Sequence, residues 1–175
     1  MISFIAKLIV ALNSNSRPSE LASGIAFGLL LALIPGENLL WIAIFVIAFF
    51  LKHNIAAMLL SLGFFRLFIS FFDPFLDHIG GFILSIHQLY NFFTVLNNIP
   101  LIPYSNFNNS IVMGGFVLGI ILWLPVFFLF VFVIKIYRKK ISPKITESRF
   151  IKAIKRIPVI SRLTSSVHKL SVLAS

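Results

Sequence analysis

Four ionisable residues stand inside otherwise apolar stretches of a 175-residue chain: Glu37, Arg66, Asp73 and Asp77. In a low-dielectric surrounding such groups are costly, so they face a bundle interior, a cavity or one another. Arg66, Ser70, Asp73 and Asp77 fall at i, i+4, i+7 and i+11, and one continuous helix would gather them into a single polar stripe. Two kinds of chemistry fit that spacing. In the first, Arg66 neutralises an acid, Asp73 caps a helix that starts at Pro74, and Asp77 favours the positive end of that helix. In the second, the stripe joins Glu37 in a polar pocket that takes a lipid headgroup or a proton. Catalysis has less to stand on. The sequence offers neither a nucleophile with a base nor a phosphate-binding loop, and two aspartates four residues apart do not define a hydrolytic site. There are no cysteines, and His53, His78, His87 and His168 show neither HExxH nor HxH spacing, so no metal and no other cofactor is expected.

Glu37 lies in "LLLALIPGENLLWIAIF", where four residues interrupt an apolar run. Pro35 ends the first arm, Gly36 permits a tight path, and Glu37 and Asn38 are placed to satisfy free amides at the start of the second arm.

The elements that must hold these residues follow from the composition. Hydrophobic residues make up 59% of the chain and charged residues 11%, against roughly 45 to 50% apolar in ordinary soluble domains. An all-α integral membrane protein is the fold class expected. The length allows one compact membrane domain, 1–134, followed by a basic tail, 135–175. The N-terminal 1–16 does not fit a signal peptide, because Lys7 interrupts the apolar run and no cleavage pattern follows. It reads as a partly amphipathic helix, lying in the membrane interface or packed on the protein itself.

Residues 111–134 carry no charge and predict one full transmembrane helix, kinked at Pro125, with Gly114, Gly115 and Gly119 available for close helix packing. The runs 21–34 and 39–51 are each shorter than the roughly 20 residues a span requires. Joined by "PGEN", they predict a helical hairpin over 19–52 that enters and leaves on one side, or one broken crossing. Arg17 before the first arm and Lys52 after the second favour the hairpin, since positive residues collect on the cytoplasmic side. Residues 54–96 predict two apolar arms around breaks at "FDPF" and "HIGG" that make one net crossing, leaving the uncharged 97–110 outside. Short arms around polar breaks are the architecture of repeat-built transporters, an analogy of architecture alone.

After Ile134 the composition changes. Eleven of the fifteen Lys and Arg residues follow it, with one acid, Glu147. Basic residues directly after a membrane helix, here Lys135, Arg138, Lys139, Lys140 and Lys144, are expected to meet anionic headgroups on the cytoplasmic face, at about 1 kcal/mol each. Nucleic acid is not expected. Ile160, Leu163, Val167 and Leu170 recur at helical spacing and predict an amphipathic surface helix.

Residues 17–60, "RPSELASGIAFGLLLALIPGENLLWIAIFVIAFFLKHNIAAMLL", resemble the core of a bacterial family of small membrane proteins, the domain-of-unknown-function family twenty sixty-two. The resemblance rests on Pro18 and Ser19 at the entry, Gly24 and Gly28 along the first arm, Pro35 and Gly36 at the elbow, and Lys52 with Asn54 after the second arm. It extends less well to about residue 84, where the family's Asn-Pro-Thr-like segment is replaced by "FFRLFISFFDPFLDHIGG". It implies a multi-pass bacterial inner-membrane protein with no assigned activity. A fainter similarity joins "IPGENLL" and "GFFRLF" to DedA-type lipid transporters, and implies handling of phospholipid or a lipid-linked phosphate. Taken together, these features predict a non-enzymatic membrane partner or scaffold of a larger envelope or lipid-handling assembly. The alternative is a lipid or lipid-carrier translocase that uses the polar breaks.

Overall fold

The computed structural model describes residues 16–141. The helix expected before Ser16, the amphipathic C-terminal segment and Lys144 lie outside the described residues. Every described element is helical, in the order α1 (Pro18–Leu33), α2 (Leu39–Phe50), α3 (Ile55–Ile69), a 3-10 turn (Ser70–Phe72), α4 (Asp73–Leu84), a 3-10 turn (His87–Leu89), α5 (Tyr90–Asn97), a 3-10 turn (Ile102–Ser105) and α6 (Ser110–Ile136).

α1 starts where Pro18 occupies the first turn and the Glu20 carboxylate accepts from the Arg17 backbone N–H at 3.1 Å. It is buried on nearly every side: Leu21, Ala22, Leu31 and Ala32 are fully covered. α3 covers one side and runs parallel to it. A Cβ added at Gly24 would meet the Asn54 carbonyl at 2.5 Å, and one at Gly28 the Met58 carbonyl at 2.6 Å. The two glycines therefore set the distance between backbones. α6 covers another side and runs antiparallel, with Gly115 against the Leu33 carbonyl, Gly119 against Leu30, and Ile134 clustered with Leu21 and Ala22. This is the use of small residues expected of Gly115 and Gly119.

α2 folds back after the elbow and packs Ile44 and Ala48, one turn apart, against Leu30, Leu31 and Ile34. Its C-terminal loop returns to the start of α1, where the Asn54 N–H donates to the Glu20 carbonyl at 3.0 Å and Asn54 Nδ2 to Ser16 Oγ at 2.9 Å. The ends of the α1–α2 pair thus meet at one level, and its elbow lies at the other.

The break expected at "FDPF" is reduced to a 3-10 turn, and the one expected at "HIGG" is not there. Ile55–Leu84 is one helical stretch of 30 residues, and Gly80 and Gly81 lie within α4. Pro74 lacks an N–H and its ring would crowd the carbonyl of Ser70, so the chain tightens into a 3-10 turn just before it and continues. Asp73 is consequently not an N-cap; Phe72 holds that position and Asp73 is the first residue of α4. Gly80 lies against the Ser110 carbonyl and Gly114 against the Leu76 carbonyl, which brings α4 and α6 together without side chains between.

Ile55–Leu84 and Ser110–Lys139 are long and apolar enough to cross a membrane. Large apolar side chains face outward along α2, α3, the 3-10 turn after it, α4 and α6, among them Phe50 at 82%, Leu67 at 73% and Phe71 at 81% exposure. The second unit, 135–175, is described only to Ile141, where Tyr137–Ile141 form a π-helical turn. Lys135 and Lys139 are exposed in it.

Candidate functional site

The elbow is the most polar point of the α1–α2 pair, and its construction follows from the end of α1. A helix that stops inside an apolar surrounding leaves its last carbonyls without partners. Here side chains supply them. Trp41 Nε1 donates to the Leu31 carbonyl at 2.9 Å. Arg66 reaches across from α3 and donates from one terminal nitrogen to the Ala32 carbonyl at 3.0 Å and the Ile34 carbonyl at 3.1 Å. Asn38 Nδ2 donates to the Pro35 carbonyl at 2.6 Å. The Asn38 Oδ1 accepts from the Trp41 N–H at 2.8 Å, so the same buried side chain closes α1 and caps α2. A guanidinium at the carbonyl end of a helix also meets the negative end of its dipole.

This placement corrects the expected pairing. Among the described residues no ion pair joins Arg66 to Glu37, Asp73 or Asp77. Arg66 is spent on α1. Asp77 is exposed and accepts a hydrogen bond from the Ser110 hydroxyl at the start of α6. Asp73 is half-buried in the first turn of α4, where a carboxylate suits the helix dipole. Among the described residues Glu37 satisfies no amide. It stands exposed at the elbow with φ of 70°, in the left-handed region that side chains enter at a cost. Gly36, beside it, has an ordinary φ and open space around its Cα. The tight turn thus falls on the glutamate and not on the glycine.

The family described as an uncharacterized protein conserved in bacteria, DUF2062, matches residues 3–142. The chain belongs to this family. An uncharacterized protein of Treponema pallidum (strain Nichols) is 33% identical over 162 residues, which cover 93% of this chain and all of that protein. No solved structure matches the chain. The matched span takes in every described element from α1 to α6, so the elbow belongs to the part this chain shares with DUF2062.

Two positions in this DUF2062 member carry weight that residue spacing did not suggest. Asn54 caps α3 by accepting from the Ala57 N–H at 2.8 Å while tying the hairpin base to Ser16 and Glu20. An Asn before an apolar run is a start signal, and it was open to reading. His53, one residue earlier, packs its ring on Phe27, with centroids 5.4 Å apart, and both its ring nitrogens are covered with no hydrogen-bond partner. Burial holds its pKa below the usual histidine value, partly opposed by the Leu51 backbone carbonyl, which favours the charged ring. Phe27 in turn meets Trp123 edge-on at 5.3 Å, and the two, with Leu30, Ile120 and Leu124, line an apolar groove of about 440 Å³. The residues of this site have no metal-holding arrangement: among the described residues no three His, Asp or Glu gather.

Proposed function

We propose that the protein is a multi-pass protein of the bacterial inner membrane that serves as a non-catalytic scaffold subunit of a larger envelope or lipid-handling assembly. In this reading Ile55–Leu84 and α6 span the bilayer. α1 and α2 form a re-entrant hairpin whose open end and C-terminal tail are cytoplasmic, and Lys135, Arg138, Lys139, Lys140 and Lys144 meet anionic headgroups. The lengths are consistent: α1 rises about 24 Å and Ile55–Leu84 about 45 Å, against a core of about 30 Å. One observation carries the reading. Asn38 and Arg66 bind the backbone carbonyls of the elbow, whereas the outward surface of α2 is apolar, with Ile42, Val46, Ile47, Phe49 and Phe50 exposed. Exposed apolar surface of this extent marks contact with lipid or with another protein.

A photo-crosslinker at Phe50, and another at Leu67, tests this in intact cells. A scaffold gives one discrete protein adduct from the face that docks. Lipid adducts alone from both positions would reject it. Glu37 favours a second reading, as an exposed carboxylate that the capping network does not use and that sits in a costly backbone conformation. If it handles headgroups, purified protein in liposomes scrambles a fluorescent phospholipid, and Glu37→Gln slows it. A rate equal to protein-free vesicles rejects autonomous scrambling.

A further inference from the structure

We propose that the loop holding His53 is an acid-sensitive latch at the base of the α1–α2 hairpin, in which proton uptake by the imidazole frees residues 51–54 from α1. The loop is the only covalent link between α2 and α3. Among the described residues it is held to α1 and the residues just before it by two groups of contacts: the Asn54 bonds to Glu20 and Ser16, and the His53 ring on Phe27. The first group is backbone and amide chemistry that does not titrate near neutral pH. The second depends on a neutral ring. A neutral imidazole has one N–H and one lone pair to satisfy, and here both nitrogens are covered with no partner. A protonated one would present two N–H donors and a full charge to the same apolar contact, a much heavier desolvation cost.

Among the described residues the neighbouring elements do not supply a counter-charge. On α1 the ionisable groups at this level are Arg17 and Glu20, and the Glu20 carboxylate already accepts from the Arg17 backbone. The loop itself adds Lys52, exposed and of the wrong sign. α3 has no ionisable group before Arg66, which is engaged at the opposite end, and α6 has none from Ser110 to Ile134. The Phe27 ring offers a cation–π attraction to an imidazolium, and the Leu51 carbonyl favours the charged ring, but burial outweighs the carbonyl. The rings are tilted by 31° and their centroids are 5.4 Å apart, a geometry in which that attraction recovers only part of the lost hydration. The ring therefore leaves its seat to be charged. Because Phe27 also meets Trp123 on α6, withdrawal of His53 loosens the wall of the groove as well.

The sign follows from linkage. The folded state holds His53 below its unfolded pKa of about 6.5, so the latch is closed above that value and loses hold as pH falls below it. Spin labels at the exposed positions Ser19 and Lys52, on cysteines introduced into the otherwise cysteine-free full-length chain, read the separation directly in nanodiscs. The distance distribution of wild type is narrow at pH 8 and shifts or broadens at pH 5. His53→Phe, which keeps the ring contact and cannot ionise, stays narrow at both. His53→Gln serves the same purpose if the phenylalanine variant does not fold. NMR of the labelled imidazole gives a midpoint below 6.5, regardless of how the variants fold. An unchanged wild-type distance, an equal shift in a non-ionising variant, or a midpoint at or above 6.5 overturns the latch.

Discussion

Removing the Arg66 guanidinium should destabilise the elbow and should do so without reference to Asp77. Arg66 donates to two carbonyls of residues that are themselves fully covered, Ala32 and Ile34. A hydrogen bond from a charged donor contributes about 1.5 to 3 kcal/mol. Both bonds leave one nitrogen, and Arg66 is exposed enough for solvent to replace part of what is lost, so the sum is reduced to about 2 to 4 kcal/mol. Arg66→Met separates causes, because it keeps the aliphatic stem and deletes only the donors; most of the loss should survive in it. Unfolding in mixed micelles, followed by Trp41 fluorescence in a Trp123→Phe background, reports on the elbow itself, since the Trp41 indole donates to Leu31. In a double-mutant cycle Arg66→Ala and Asp77→Ala should be additive within about 0.5 kcal/mol. Wild-type stability in Arg66→Met, or a coupling above about 1 kcal/mol, would refute the reasoning.

The glycines divide into two sets. Gly28→Ala and Gly80→Ala force their helices apart and should each cost about 1 to 3 kcal/mol, while Gly63→Ala and Gly81→Ala, with nothing within 4 Å, should be neutral or slightly stabilising in the same unfolding assay. Asn38→Ala should cost about 2 to 3 kcal/mol, because it removes the α2 cap and strands the Pro35 carbonyl together. Glu37→Gly should raise the unfolding free energy by about 1 kcal/mol through relief of its positive φ; a loss of similar size would mean that the carboxylate contributes to folding after all.

The helical class, the elbow at "PGEN" and the packing use of Gly115 and Gly119 were legible because each depends on local chemistry: apolar run length, a proline stop and a missing Cβ. The i, i+4, i+7 spacing from Arg66 was also real, since Ile55–Leu84 is nearly continuous. What it could not tell was the partner. A guanidinium in an apolar surrounding needs acceptors, and the carbonyls at the end of α1 met that need from 34 and 32 residues away. Pro74 suggested a break because its effect on an isolated helix is a break. Packing of Leu76 with Leu33 and Ile69 held the chain on course, and the disturbance shrank to a 3-10 turn. His53 escaped notice because a single histidine next to a lysine carries no pattern; only the fold lays it on Phe27.

The central claim is that the α1–α2 pair is a membrane hairpin open to the cytoplasm. Single cysteines at Arg17, Lys52 and Asn106, treated with a membrane-impermeant maleimide on cells whose inner membrane is intact, test it most directly. Asn106, in the loop between α5 and α6, should label from outside. Arg17 and Lys52, held at one level by the Asn54 bonds, should label only after permeabilisation. Labelling of Lys52 but not Arg17 from outside would contradict the hairpin and make the pair a single broken crossing.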